Sequence, residues 1–323
     1  MPDDRPLPAD LASSPEPSSR PTVDVVIATH HRPELLRAAI SAVREQTYEG
    51  TIRCFVVHDQ SPTDPSLVES SARRSVEVMP NSRRPGLAGA RNTGIMAGCG
   101  DLVAFCDDDD AWLPQKVALQ VAALEGSTAA TSVTGIIVDY RDRQVERIPA
   151  ACDLTVATLA RRRVMAAHPS TVMVRRSALL GPIGAGLIGL VDEDIPGSFG
   201  EDYDWILRAA EAGGFAVVPA PLVLVRWGGS QFSRQWPTIV EAIDHLLGKH
   251  QAFHDDPRAL GRLYGQRAFA LAAMHAPTAM KAAALTLRTS PLERRGYLAA
   301  AVAMHLVSAD RVLDLAHRRG RGV

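Results

Sequence analysis

Asp107-Asp108-Asp109-Asp110-Ala111-Trp112-Leu113-Pro114 follows directly on the apolar run Leu102-Val103-Ala104-Phe105-Cys106. The apolar run predicts a buried strand. Four adjacent carboxylates at its carboxyl end repel one another, and without a cation some would be driven toward protonation. In an extended segment every second side chain faces the same way. Asp107 and Asp109 are therefore expected to address one ion while Asp108 faces elsewhere. Oxygen-only ligation suits Mg²⁺ or Mn²⁺, and an ion with few protein ligands keeps positions free for phosphate oxygens. A bare acidic run is usually a solvated loop. This one is anchored between a strand and Trp112-Leu113-Pro114, which favours the metal reading.

Upstream, Val23 to Ala28 and Thr51 to Val57 are β-branched apolar runs of the same kind, and Val76 to Met79 is a shorter one. Between the first two, Leu35, Leu36, Ala39, Ile40 and Val43 fall at helical spacing behind Thr29 or His31, either of which can cap a helix. Gly86 to Gly94 reads as a Gly-rich link into a helix over Asn92 to Gly98. Strands alternating with helices predict an α/β fold with a doubly wound, mostly parallel sheet. Such sheets bind ligands beyond the carboxyl ends of their strands. Asp59, in the turn-forming loop after the second strand, and the aspartate run should then share one cleft.

Downstream, residues 128–200 mix short strands and loops, with Thr171 to Val174 extended and Gly181 to Gly189 a mobile loop. Asp202 to Ala212 predicts a helix, and Ala216 to Val218 and Leu222 to Val225 extended chain. From Pro237 the chain is Ala-, Leu- and Arg-rich with helical periodicity, broken at Pro257, Pro277 and Pro291. Residues 1–21, rich in Pro, Ser, Asp and Ala, are expected to be a disordered tail. No internal repeat is visible.

Composition bounds the function. Lys+Arg 35 against Asp+Glu 36 over 323 residues gives a net charge of −1, which argues against a nucleic-acid binder held by bulk positive charge. A hydrophobic fraction of 46% and a mean hydropathy of −0.02 are ordinary for a soluble globular protein. The four cysteines, Cys54, Cys99, Cys106 and Cys152, form no CxxC pair, which excludes a zinc ribbon and disfavours a disulfide framework. No apolar run reaches the roughly 18 residues of a transmembrane segment. The acidic, Pro-rich start lacks the basic and apolar parts of a secretory signal, so a cytoplasmic setting is expected.

With these residues in hand, the chain resembles the family 2 inverting glycosyltransferases of the GT-A fold over about residues 22–230. Five pieces occur in the family's order: the first strand leading into Thr29-His30-His31-Arg32-Pro33; Val56-Val57-His58-Asp59 with Ser61 and Asp64; Ala90-Arg91-Asn92-Thr93-Gly94; Asp107 to Asp110; and Gly200-Glu201-Asp202-Tyr203-Asp204-Trp205. The resemblance implies a GT-A domain over 22–235, with a nucleotide-sugar half to about 115 and an acceptor half after it, followed by a helical region over 236–323. It implies a nucleotide-sugar donor touched by Ala28, Thr29, Arg32, Asp59, Arg91, Asp107 and Asp108. Asp109, helped by Asp107, corresponds to the metal-binding DxD element, and Asp202 to the general base. Glu201, His168 and Trp227 fall on the acceptor side. A carboxylate at Asp59 suits the N3–H of uracil, favouring UDP or dTDP. The implied acceptor is a carbohydrate, a lipid-linked or a small-molecule alcohol.

Departing from the family, Arg226-Trp227-Gly228-Gly229-Ser230 lacks the late His that many members bring to the metal or diphosphate. Glu201, Asp202 and Asp204 also have a bland reading, as acidic residues complementing a helix dipole. The basic end, with Leu306, Val307, Val312, Leu313 and Leu315, suits either peripheral contact with the inner face of the plasma membrane or helix packing, including a homodimer. The rivals are a sugar nucleotidyltransferase, which would want a Gly- and Arg-rich loop after the first strand, an aspartate-nucleophile phosphatase, and a non-catalytic nucleotide-sugar binder.

Overall fold

A computed structural model describes residues 20–140, 143–181, 186–226 and 234–318. Its strands are β1 (Val23–Thr29), β2 (Ile52–His58), β3 (Arg74–Pro80), β4 (Leu102–Asp107), β5 (Ala111–Trp112), β6 (Thr131–Tyr140), β7 (Arg143–Arg147), β8 (Met173–Arg175) and β9 (Phe215–Arg226). Its helices are α1 (Pro33–Arg44), α2 (Leu87–Ala97), α3 (Lys116–Glu125), α4 (Val156–Arg161), α5 (Arg176–Leu180), α6 (Glu201–Glu211), α7 (Trp236–Lys249), α8 (Pro257–Ala273), α9 (Ala279–Thr289), α10 (Arg294–Ala303) and α11 (Ala309–Arg318). The strands form one sheet in the order β3-β2-β1-β4-β8-β6-β9-β5, with β7 on β6. β3, β2, β1 and β4 are mutually parallel, as are β6 and β9, while β8, β7 and β5 join antiparallel. This is the α/β architecture that the strand–helix alternation predicts.

Register carries the site. Thr29 pairs with His58 and Ala28 with Asp107, so β1, β2 and β4 end level and release their loops on one edge. Alternation along β1 splits the core. Val23, Val25 and Ile27 face the layer of α1 and α3, while Val26 faces the layer of α2 and α6. The chain from Gly86 to Gly94 is not a link: α2 already begins at Leu87. Its glycines serve close packing. A Cβ on Gly94 would stand 2.4 Å from Val26 Cγ1. Gly94→Ala should therefore overpack this contact and cost about 1–3 kcal/mol, read as a lower urea midpoint with an unchanged m-value. Two further expectations shift. The first residue of α1 is Pro33 behind Arg32, with no side-chain cap, because the Thr29 hydroxyl goes elsewhere. The run 171–174 is extended as expected from Val172 into β8, and only Thr171 departs, as the end of a 3₁₀ turn over Pro169–Thr171.

The C-terminal helices close against the same core. Ile243, Leu246, Phe253, Leu263 and Ala270 share one buried cluster with Trp205, Ile206 and Leu207 of α6. Asp204, fully buried, accepts from Arg208, from Lys249 Nζ at 2.8 Å and from His250 Nε2 at 2.8 Å. This places Asp204 in the scaffold.

The fold also exposes a repeat that the sequence hides. The hairpins α8–α9 and α10–α11 join through Ala273-Met274-His275 and Ala303-Met304-His305, thirty residues apart. Both histidines adopt positive φ, 54° and 58°, and their rings stack at 5.1 Å. Ala272 and Val302, and Ala283 and Leu313, are buried at matching positions. Small, interchangeable side chains mask the likeness: Thr278-Ala279 answers to Ser308-Ala309 and Lys281 to Arg311. No helix among the described residues is long and apolar enough to cross a membrane.

Candidate active site

The aspartate run leaves β4 and turns at once: the Asp110 amide donates to the Asp107 carbonyl at 3.2 Å. A turn, unlike an extended segment, brings residue i beside i+3. Beside the expected pairing of Asp107 with Asp109, the turn offers a second grouping. Asp107 and Asp110 converge, and His168 joins them, with Nδ1 3.4 Å from Asp110 Oδ2 and Nε2 3.8 Å from Asp107 Oδ2. One ligand atom from each of the three lies within 4.8 Å of the others. Asp109 instead receives Arg32 at 2.7 Å. Asp108 turns inward to the Thr29 hydroxyl at 2.8 Å and to Arg32 at 3.2 Å.

Electrostatics at the turn follow the crowding. Burial pushes Asp110 up to about 7, and the charges of Asp107 and Asp109 add to the rise against His168 and the Ser170 hydroxyl. Burial likewise raises Asp108 against its hydrogen bond from Thr29 and the charge of Arg32. Ser170 tightens the turn from the side, donating to Asp110 Oδ2 at 2.5 Å and accepting from the Asp107 amide at 2.9 Å. Two carboxylates and an imidazole gathered on a strained acidic turn are a donor set that fits a divalent cation. His168 supplies an imidazole in a chain that lacks the family's late histidine.

Arg91 connects this turn to the acidic helix. Its guanidinium is buried and bridges Asp107 at 2.6 Å and Glu201 at 2.5 Å. Burial pushes Glu201 above its ordinary value; Arg91 opposes this while Asp202 and Asp107 add to it. Asp202 is next along the first turn of α6, behind Gly200 at φ 86°. The Tyr203 amide donates to Asp202 Oδ1 at 2.8 Å, and Arg163 donates to Oδ2. Burial alone would raise the Asp202 carboxyl, and the charges of Arg163, Arg91 and His168 outweigh it, leaving its pKa below the ordinary value.

On the far side of β1, Asp59 accepts from Asn81 at 2.8 Å, from the Gly86 amide at 3.0 Å and from Gln60 at 3.1 Å. Burial pushes Asp59 up, but these bonds outweigh it and set its pKa below the usual range. His30 holds the Asp59 carbonyl through Nδ1 at 2.7 Å. Ala28 is half-buried between Val57 and Asp107. Arg83 and Arg84 pair with Glu193 and Asp194 of the loop before α6.

Contacts thus run from Asp59, whose amide donates to the Thr29 carbonyl, through Thr29 and Arg32 to the aspartate turn, and from the turn through Arg91 to Glu201, the neighbour of Asp202, with His168 beside the turn. Trp227, and residues 182–185 of the loop over Gly181 to Gly189, lie outside the described residues. Sequence reading missed Asp110 as a partner of His168, and Arg163 altogether. The Arg161-Arg162-Arg163 run was the available signal for the latter.

Residues 24–179 match the family model described as glycosyl transferase family 2. Over that stretch, just under half of its length, the chain is similar to family 2 glycosyltransferases. It is 28% identical over 102 residues to the Escherichia coli UDP-Glc:alpha-D-GlcNAc-diphosphoundecaprenol beta-1,3-glucosyltransferase WfgD, a stretch covering 32% of this chain and 40% of that protein. It is 25% identical over 237 residues to the uncharacterized glycosyltransferase YwdF of Bacillus subtilis, covering 71% of this chain and 84% of that one. Among solved structures, S. aureus TarS in complex with UDP-GlcNAc superposes with a TM-score of 0.58 at 15% identity, over 93% of this chain and 92% of that one. The mannosyltransferase PcManGT from Pyrobaculum calidifontis, in complex with GDP-Man and Mn²⁺, gives 0.52 at 19% identity, over 93% and 84%. These likenesses show the GT-A type of fold, here with added C-terminal helices.

Proposed function

We propose that the chain transfers a sugar from a nucleotide-diphosphate donor, a UDP- or dTDP-sugar, to an acceptor hydroxyl with inversion at the anomeric carbon. The observation that supports this reading is the Asp107–Arg91–Glu201 bridge, which ties the aspartate turn to the residue before Asp202; in this reading the line from Asp59 to Asp202 is one binding groove. Residues 22–235 are the catalytic unit in this reading, and the helices of 236–323 form its outer wall.

Asp59 addresses the nucleobase, while the backbone of Ala28 and Thr29 lines the pocket beside it. Arg32 is free to meet phosphate once a donor displaces it from Asp109, since its side chain is about one-third exposed at 31%. Asp107, Asp110 and His168 would hold Mg²⁺ or Mn²⁺, which when bound supplies charge neutralisation for a departing diphosphate. Arg91 keeps Asp107 oriented and supplies charge-assisted hydrogen bonding toward the same anion. Asp202, held ionised, takes the proton of the attacking hydroxyl at a carboxylate oxygen. One base and direct displacement invert the centre. WfgD's name, with its UDP-Glc donor and lipid-linked diphosphate acceptor, and the UDP-GlcNAc complex of TarS support the UDP donor and a lipid-linked acceptor here. Leu306, in the bend between α10 and α11, and Leu315 of α11 are exposed, and peripheral membrane contact or pairing with a second copy would run there.

A thermal-shift panel tests the donor half. UDP or dTDP with Mn²⁺ or Mg²⁺ should raise Tm, by the equivalent of about 2.7 kcal/mol at a hundredfold excess over Kd. The same nucleotide without metal, and with Asp107→Asn plus metal, should shift it far less. An equal shift with and without metal would remove the cation from the reading. Metal-dependent UDP binding without turnover of any UDP-sugar would instead favour the non-catalytic binder.

A further inference from the structure

Arg163 is not used by the mechanism above, yet it makes the most direct contact with its base. It directly follows Arg162, the residue that caps α4 by donating its amide to the Thr158 carbonyl. Its guanidinium donates to Asp202 Oδ2 and lies 5.6 Å over the ring of Tyr203. That ring is itself fixed. The Tyr203 hydroxyl donates to the Leu159 carbonyl at 2.7 Å and accepts from Arg262 of α8 at 2.5 Å. Arg262 covers the ring at 5.2 Å and is buried. Arg161 and Arg162, by contrast, pair with Asp256 and Asp153, away from the groove.

We infer that Arg163 is the positioning residue of Asp202, and that Tyr203 and Arg262 are its support, so that the C-terminal helices set the geometry of the base. This rests on reading Asp202 as the base. Both Asp202 oxygens are held, Oδ1 by the Tyr203 amide and Oδ2 by Arg163. The carboxylate therefore has one orientation to offer an incoming hydroxyl. Half of the Arg163 side chain is exposed, 50%, whereas that of Asp202 is 19% exposed. The other groups facing Asp202 are Arg91 from α2, His168 from the segment before β8, and its own neighbour Glu201. Arg91 is already committed to two carboxylates, which leaves Arg163 as the cation assigned to Asp202.

The test is the titration of Asp202 in the full chain labelled with [γ-¹³C]aspartate, its resonance assigned by loss in Asp202→Asn. Arg163→Gln should raise the Asp202 midpoint by about 1–3 pH units. Arg163→Lys should keep most of the depression, and Arg162→Gln all of it. With UDP-glucose and Mn²⁺, the acid limb of kcat for UDP release should move to higher pH in Arg163→Gln by the same amount, with KM for donor unchanged. A midpoint unmoved in Arg163→Gln, or moved equally in Arg162→Gln, overturns the positioning role. If the midpoint moves as expected but the wild type turns over no UDP-sugar, the positioning stands and the transferase reading fails.

Discussion

Asp202→Asn should lower turnover by about 10²–10⁴-fold, the usual worth of a positioned general base, while the metal-dependent UDP shift in Tm persists. The substitution keeps the shape of the side chain and its Oδ1 acceptor for the Tyr203 amide. It removes the charge facing Arg163 and the capacity to take a proton. Because Asp202 touches the donor side only through Glu201 and Arg91, nucleotide affinity should stay within a few-fold. The two readouts separate chemistry from binding. A variant that transfers sugar at near wild-type rate would end the assignment, and one that loses UDP binding as well would place Asp202 in the donor site.

Arg91→Met should be the most damaging substitution to the molecule as a whole. Arg91 is 3% exposed and is the shared partner of Asp107 and Glu201. Removing one partner of a buried ion pair typically costs about 3–5 kcal/mol, because the charges left behind are uncompensated. Here two carboxylates are stranded, one of them already pushed up by burial. Glu201 can relieve its share by taking a proton, so the loss in urea stability should shrink as pH falls below neutrality. The sign follows from the raised pKa of Glu201: its ionised form is the disfavoured one in the folded state, more so without Arg91. UDP with Mn²⁺ should no longer shift Tm. A variant as stable as wild type at pH 8 would show that Arg91 is not the bridge its distances describe.

Much of this site was legible before any coordinates. Asp59, the aspartate run and Asp202 stand at a strand end, a strand end and a helix start, and those positions follow from apolar runs and periodicity alone. The grouping of Asp107 with Asp110 and His168 was not legible, because i,i+2 alternation describes a chain only while it stays extended. The chain folds back within Asp107–Asp110, and tertiary contacts from Ser170 and His168 hold it there. His168 was placed only on the acceptor side, since nothing local in His168-Pro169-Ser170 reveals a carboxylate pair about sixty residues upstream. Arg163 was illegible for the same reason. Three consecutive arginines look alike in sequence, and only the fold decides that one faces the groove while the others meet Asp256 and Asp153. The Gly86–Gly94 stretch misled by composition: glycine normally weakens a helix, but at Gly94 close contact with Val26 requires it.

The two matched helical hairpins give the chain a means of growing. A unit that docks on its predecessor through the same Ala-Met-His joint needs nothing from the sheet, so a further copy would stack without disturbing the groove. Added length at the tail would then leave the aspartate turn and the first turn of α6 as they are, and alter only how far the chain reaches beyond them.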